Sequence, residues 1–396
     1  MGQAAASLPP DAAEHAKSRR LIIRLYVVAV FLYWTALYLY VPTLPTYVQS
    51  KSDSLAMVGV VLSMYGLWQA LIRLPLGIVS DWVGRRKPFI LGGFLLAGLG
   101  AAVMGLADDV TGLLIGRAIT GLAAGTWVPL VVLFSSLFPR EESVRASSLL
   151  TTVGTIGRVL ATGVTGSLNN LGGYSLAFLL AAGAAVVAVL IVLPSREAPR
   201  PPKRPSLASI GRLIARRDVL LPSLLSALAQ YANWAATYGF IPILASQLGA
   251  TGVTQSILLS LNLGLMALGN LMATAVAKRI GAQRLVYLSF VLLFMGLGGA
   301  ALANSLTLIF LAQVCIGLSQ GVNYPVLMGL SIRHVDDAQR TSAMGLHQAV
   351  YAVGMFAGPA VSGVLADAMG IRAMFGLTAV ATLACGTFAA RWLTDR

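Results

Sequence analysis

The chain has 396 residues, 57% of them hydrophobic and only 11% charged, with a mean hydropathy of +0.80. A soluble domain carries about 25% charged residues, and no stretch here holds enough charge to clothe one, so a soluble enzyme or multi-domain protein is excluded. A net charge of +14 would suit a nucleic-acid partner, but the Lys and Arg fall in short turns between long apolar runs, which removes that reading.

A membrane helix needs about 20 mostly apolar residues. Residues 1–22 open polar, with Asp11 and Glu14, and read as an N-terminal tail, not a cleavable signal. Apolar runs of spanning length then cover 25–48, 55–80, 89–107, 111–133, 146–168 and 175–193. A break follows at 195–218, where the prolines from Pro199 to Pro205 forbid a regular helix and a short amphipathic piece occupies 207–217. Six more runs cover 219–248, 253–277, 285–303, 306–332, 342–365 and 373–390. The alternation of a membrane β-barrel is absent. The fold class is therefore all-α integral membrane, with twelve helices in two six-helix bundles, 23–194 and 219–396, joined by the linker. Cys315 and Cys385 lie inside apolar stretches and do not look like halves of a disulfide.

The basic residues orient the chain. Of 28 Lys and Arg, 23 fall on the side that carries both termini and the linker, and only Lys51 and Arg372 on the other. By the positive-inside rule both ends are cytoplasmic. The remaining three, Arg73, Arg117 and Arg158, lie within spans.

The halves also repeat one another. Trp34-x3-Tyr38-x3-Pro42 in helix 1 recurs as Trp234-x3-Tyr238-x3-Pro242 in helix 7, and Gly121-x3-Gly125-x3-Pro129 in helix 4 as Gly317-x3-Gly321-x3-Pro325 in helix 10. Gly84 and Lys87 correspond to Gly281 and Arg284. Gly157, Gly166 and Gly173 in helix 5 correspond to Gly354, Gly363 and Gly370 in helix 11. Matches at near-constant offset in corresponding helices indicate a duplicated six-helix unit.

Between helices 2 and 3 stands Gly77-Ile-Val-Ser-Asp81-Trp-Val-Gly84-Arg85-Arg86-Lys87. It resembles the G-x-L-x-D-x-x-G-R-R-K motif of the major facilitator superfamily, with Val79 for the usual Leu; a degraded copy, Lys278 to Arg284, stands at the equivalent place in the second half. The resemblance covers nearly the whole chain and is most like the twelve-helix drug and metabolite exporter branch. It implies transport by alternating access and makes Gly77, Asp81, Gly84, Arg85, Arg86 and Lys87 a gating motif. A carboxylate at a helix N-terminus is favoured by the dipole and free N–H groups, so Asp81 is expected near the start of helix 11 only while the cytoplasmic side is shut. The plainer reading anchors the loop at lipid headgroups.

Gln69, Arg73, Gly77 and Asp81 recur every four residues and share one face of helix 2. An arginine at membrane depth is costly and faces a bundle interior or wet cavity, so Arg73 either lines the pathway or pairs across the halves. Arg117 and Gly121 look like the family's R-x-x-Q-G motif with Thr120 for Gln, which implies proton movement; local packing is the alternative. The antiporter signature is degenerate in helix 5, where Arg158 follows Gly157. Its proline-containing form, Gly354-x3-Gly358-Pro359-x3-Gly363, stands in helix 11 as a close-packing hinge.

For the substrate cavity the candidates are Trp34, Tyr38, Arg73, Arg158, Gln230, Tyr231, Asn233, Trp234, Asn262, Gln320, Asn323 and Tyr324, with ordinary interhelical bonding as the alternative for each. For proton coupling they are Arg117, Asp81 and His347, the last either titrating or bonded in the core. The spans hold no Glu and no deep Asp against three arginines, which favours an anionic or neutral amphiphilic solute over a cation. No nucleotide or metal motif is present, so no enzyme, cofactor or metal is expected. The reading is a proton-coupled exporter in a bacterial-type plasma membrane, a monomer whose partners are its solute, lipid and protons. Uptake or uniport of an organic anion is the first alternative, a non-transporting sensor or scaffold the second.

Overall fold

A computed structural model describes residues 10–197, 211 and 213–393. The linker's proline run, residues 207–210 and 212 of the amphipathic piece, residues 1–9 and residues 394–396 lie outside the described residues. The described residues contain helices and no strand.

Among the described residues ten helical segments are long and apolar enough to cross a membrane; one of them doubles back, and an interrupted segment that is not among the ten adds to them, an arrangement consistent with twelve helices. Ser143–Val192 is drawn as one helix but turns over at Gly172 and Gly173, the latter at φ 66° where a side chain would be strained, and so makes α5 and α6. Arg217–Ala235, a π-turn at Ala236–Phe240 and Ile241–Gln247 together make α7. The others are α1 (Pro10–Tyr38, carried on by Val41–Thr43 and Leu44–Gln49), α2 (Leu55–Val83), α3 (Lys87–Gly105) and α4 (Val110–Ser135). The second half continues with α8 (Gly252–Ile280), α9 (Ala282–Ala301), α10 (Leu306–Ile332), α11 (Asp337–Met369) and α12 (Ile371–Ala390).

Helix α1 starts at Pro10, well before the predicted 25, so residues 10–22 are helical and not a plain tail. Proline at a first helical position costs no hydrogen bond, and the polar stretch after it continues the first span out of the apolar layer. At Arg19 the Nε donates to the Leu137 carbonyl at 2.5 Å, tying this extension to the end of α4.

The internal repeat is visible in the backbone. Gly84 and Gly281 take positive φ (69° and 86°) after α2 and α8, and Gly173 and Gly370 (66° and 85°) after α5 and α11. Lys87 Nζ donates to the Leu193 carbonyl at 2.7 Å, binding the start of α3 to the end of α6. At the matching place in the second half Gln283 Nε2 donates to the Ala390 carbonyl at 3.0 Å.

The halves meet mainly through α2 against α11 and α5 against α8. Along α2 and α11, which run antiparallel, the contacts step from Leu55 with Asp367, through Gly59 with Pro359, to Gly66 with Phe356 and Arg73 with Tyr351. Along α5 and α8, Gly166 N donates to Ser256 Oγ (2.8 Å) and Thr162 Oγ1 lies 2.8 Å from Ser260 Oγ. Most of these lie in the half away from Arg86 and Lys87; the pair of Arg73 with Tyr351 lies past the middle of α2, toward the basic face. Toward the basic face the same helices part: the nearest atom to a Cβ on Gly77 is Val128 Cγ1 of its own half, at 3.8 Å, and Gly345 has none within 4 Å. The close backbone contacts between the halves are thus found away from the basic face, and none is made at Gly77 or Gly345.

Glycine makes the closed contact possible. A Cβ on Gly66 would come within 2.5 Å of the Phe356 nitrogen and 2.6 Å of the Met355 carbonyl carbon, which are backbone and cannot move aside. Gly66→Val is expected to destabilise the purified protein by about 1–3 kcal/mol through overpacking, seen as a lowered Tm. Gly92→Val is the control, because a Cβ there meets nothing within 4 Å and its Tm should be unchanged.

Candidate functional site

The site begins with two prolines. Proline in a helix lacks the N–H its turn needs, and its ring collides with the carbonyl four residues earlier. For Pro42 that residue is Tyr38; for Pro242 it is Tyr238. Helix α1 accordingly stops at Tyr38 and resumes as a 3₁₀ turn, and α7 opens into its π-turn across Tyr238. Such turns are frequent at functional positions. The two tyrosines face each other across the halves, edge to face, with ring centres 6.4 Å apart.

Rings extend from this pair in both directions. Tyr238 stacks on Trp234 at 4.5 Å, and Trp234 stacks on Tyr65 of α2 at 5.4 Å and 16°. The Arg117 guanidinium lies 4.3 Å above the Tyr65 ring. On the other side Tyr38 packs on Trp34 (5.7 Å) and Trp34 on Trp127 (5.3 Å). Arg158 sits 4.8 Å over Trp34 and 5.6 Å from the Tyr38 ring centre. A continuous chain of rings therefore runs from one arginine to the other and crosses between halves twice. Leu37, Tyr38, Val41, Tyr65, Arg117, Trp234 and Tyr238 converge here and close on one another, leaving no space between them that would hold a water.

The electrostatics of this lane are one-sided. Arg117 is 2% exposed, and its Nε and Nη1 have no hydrogen-bond partner. The described ion pairs join Arg86, Arg145, Arg216 and His334 to carboxylates and include none of Arg73, Arg117 and Arg158. Arg158 bonds only to its own helix, through the Gly154 carbonyl (3.3 Å) and Thr155 Oγ1 (3.1 Å). Desolvated cation–π contacts are worth about 2 kcal/mol, well short of an ion's desolvation penalty of several kcal/mol. The lane thus holds positive charge that an acceptor-bearing ligand would satisfy, as it would the unpaired Trp34 Nε1.

A second cluster sits one step toward the basic face. Arg73 Nη1 donates to Tyr351 Oη at 2.7 Å, across the halves. Tyr351 packs edge-on against Tyr324 (5.7 Å) and lies 6.3 Å from His347. Of the two readings for Arg73, the geometry is that of the inter-half pair, with a hydroxyl as partner. His347 is fully buried, its Nδ1 3.1 Å from Ser223 Oγ. Because the Ser223 hydroxyl donates to the Val219 carbonyl (2.7 Å), Nδ1 must be the donor to it, which leaves Nε2 a bare acceptor with no partner.

Other polar candidates are engaged inside the second half. Asn262 Nδ2 donates to Gln313 Oε1 (2.8 Å), which Thr237 Oγ1 also reaches (3.1 Å). Gln320 Nε2 donates to the Ala229 carbonyl (3.0 Å) and Asn323 Nδ2 to Ser289 Oγ (2.9 Å), toward α7 and α9. Tyr231 Oη accepts from Ser362 (3.2 Å). Asn233 is buried with Oδ1 unpaired, and Gln230 is half-buried. Tyr65, Trp127, Tyr238 and Tyr351 were not among the sequence candidates. Tyr65 carried a signal, lying on the same four-residue repeat as Gln69 and Arg73.

In the gating motif, Asp81 pairs with Arg86, within its own half. The Arg86 and Lys87 backbone N–H groups donate to the Glu197 carboxylate at 2.8–3.0 Å, so a linker residue caps α3. Lys87 Nζ also reaches the Ser195 carbonyl. Arg85 is exposed. In the hinge, Cβ atoms on Gly354 and Gly358 would strike the backbone of α7, and one on Gly363 that of α2. Helix α11 thus packs on its own half and on the other.

The family model described as Major Facilitator Superfamily matches residues 26–229 and, separately, 223–396. The chain belongs to that superfamily. Among its members, the multidrug resistance protein MdtH of Aeromonas hydrophila is 26% identical over 329 residues, 81% of each chain. A shorter match, 33% over 97 residues, covers 24% of this chain and 21% of the inner membrane transport protein YajR of Escherichia coli. A bacterial homologue of the human lysosomal transporter Spinster, solved in an inward-facing and unoccupied conformation, superposes with a TM-score of 0.79 at 16% identity, covering 96% of this chain and 98% of that one. This protein is therefore a multi-pass membrane transporter of the superfamily.

The two kinds of polar residue should separate on substitution. Asn262→Leu removes a buried donor from Gln313 and is expected to cost about 1–3 kcal/mol, read as a lowered Tm. Arg117→Gln removes an unpaired buried charge and should leave the Tm unchanged or higher.

Proposed function

We propose that this chain is a proton-coupled exporter that carries an anionic or neutral amphiphilic solute by alternating access, with both termini in the cytoplasm. The observation that carries the reading is the arginine-capped chain of rings at the inter-half boundary. Rings offer flat apolar area to the body of an amphiphile, and Arg117 and Arg158 offer donors to its polar end without a carboxylate to compete. Transporter sites of this kind lie at the repeat interface, where the two proline breaks bring Tyr38 and Tyr238 together.

With the basic face assigned to the cytoplasm by its 23 Lys and Arg, the described arrangement corresponds to the inward-facing state. The solute would reach the rings from the cytoplasm. Its binding favours a change of state only by as much as it prefers the other one. Moving the halves parts Tyr38 from Tyr238 and Tyr65 from Trp234, so a solute that takes the place of those contacts supplies the preference. That the MdtH relatives are named for multidrug resistance supports the direction.

For the proton, His347 is the group in place: buried, with a bare Nε2, one helical turn from the Tyr351 that holds Arg73. Asp81 and Arg117 are the other candidates. Uniport or uptake of an organic anion is the second reading, favoured by the lack of any carboxylate among the partners of the three arginines.

The test uses protein in liposomes, a pH-sensitive dye inside, and labelled anionic, neutral and cationic amphiphiles. An anion or neutral solute should drive proton flux, and Arg117→Gln should cut its transport at least tenfold, the value of about 1.4 kcal/mol of lost binding. His347→Asn should uncouple proton flux while solute exchange persists. Flux driven by cations alone overturns the charge assignment. Solute equilibration without proton movement establishes the uniport reading instead.

A further inference from the structure

The chain carries its gating sequence twice, once on each face. Gly77-x3-Asp81-x2-Gly84-x-Arg86 ends α2 on the basic face, and Gly363-x3-Asp367-x2-Gly370-x-Arg372 ends α11 on the opposite face. In each, the aspartate is the third residue from the helix end and the next glycine ends the helix at positive φ, 69° and 85°. Because α2 and α11 run antiparallel, the end of each helix lies beside the start of the other. The two copies are thus related by turning the inter-half contact upside down.

They are in opposite states. On the opposite face Asp367 Oδ1 accepts from the Leu55 backbone N–H at 3.0 Å, and Oδ2 accepts from Ser54 Oγ at 2.9 Å, so a carboxylate of the second half caps the first turn of α2. Gly363 is pressed against the same turn, where a Cβ would lie 2.8 Å from the Leu55 carbonyl. Arg372 is exposed. On the basic face Asp81 is held by Arg86 and Gly77 has no atom of the second half within 4 Å.

We infer that Gly363, Asp367 and Arg372 form a second latch, which holds the opposite face shut by capping α2 and is released when Arg372 takes the Asp367 carboxylate, as Arg86 takes that of Asp81 here. The two latches exchange roles through one cycle: closing either face puts its aspartate on the neighbouring helix start, and opening it returns the carboxylate to the arginine five residues on. Glycine one turn before the aspartate is required in both, since the carboxylate reaches the other helix only if the backbones touch. The inference rests on the alternating-access reading.

The test measures spin-label distances across the halves in liposomes, in full-length protein with Cys315 and Cys385 replaced by serine. Labels at Leu106→Cys and Leu302→Cys, which are 72% and 78% exposed, report the opposite face; labels at Leu193→Cys and Arg391→Cys report the basic face. Asp367→Asn is expected to move the equilibrium about tenfold toward opening of the opposite face, the worth of a lost charged hydrogen bond. Ser54→Ala should move it the same way by less, leaving Asp367 in place should the first variant fold poorly. Arg372→Gln should shift it the other way, and Asp81→Asn should oppose Asp367→Asn. If Asp81→Asn shifts the distances while Asp367→Asn and Ser54→Ala do not, the second latch is wrong. If no variant and no solute moves either distance, alternating access itself fails.

Discussion

In a bilayer a backbone amide has no water to turn to, so it must bond within its own helix or be sheltered by protein. This constraint makes two breaks in this chain informative. Pro42 and Pro242 interrupt the ladders of α1 and α7 at the same depth, and both breaks are buried against the other half. The irregular backbone is tolerated because rings pack around it, and the rings are held at that level because the helix cannot continue there. The site and the exception to helical geometry have one cause.

The three arginines follow from the same scarcity of solvent. Each has a neighbour that tempers its charge without cancelling it: Tyr65 under Arg117, Trp34 under Arg158, the Tyr351 hydroxyl at Arg73. A carboxylate in any of these places would make a closed ion pair with nothing to offer a ligand. Aromatic faces instead hold the guanidinium groups in position and leave their N–H edges open. In Arg73 the partner belongs to the other half, so one of the three is part of the contact between the halves.

The twelve spans, the duplication and the gating motif were legible because each rests on a local pattern: unbroken apolar length, spacing between matching residues, a contiguous string. The turn at Gly172 and Gly173 was legible as a short gap between two runs. The site was only partly so. A tyrosine in an apolar helix looks the same whether it fills a core or lines a passage, and Tyr65, Tyr238 and Tyr351 were passed over for that reason. Asn262, Gln320 and Asn323 look like pathway residues because any amide in a span is costly, but their partners sit on neighbouring helices of one half and no sequence spacing reveals a partner from another helix. Glu197 was hidden differently, within a proline-rich stretch whose composition says linker, while its carboxylate caps α3.

The ring chain has an optical consequence. Of the six tryptophans, Trp34, Trp127 and Trp234 stand in it, while Trp68, Trp82 and Trp392 are 37–59% exposed. Tyr65 touches Trp234 across the boundary between the halves, close enough for a photon absorbed by the phenol to be emitted by the indole. The protein thereby carries its own emitter at the joint between the halves, and its ultraviolet luminescence is a dye-free gauge of whether that contact is made.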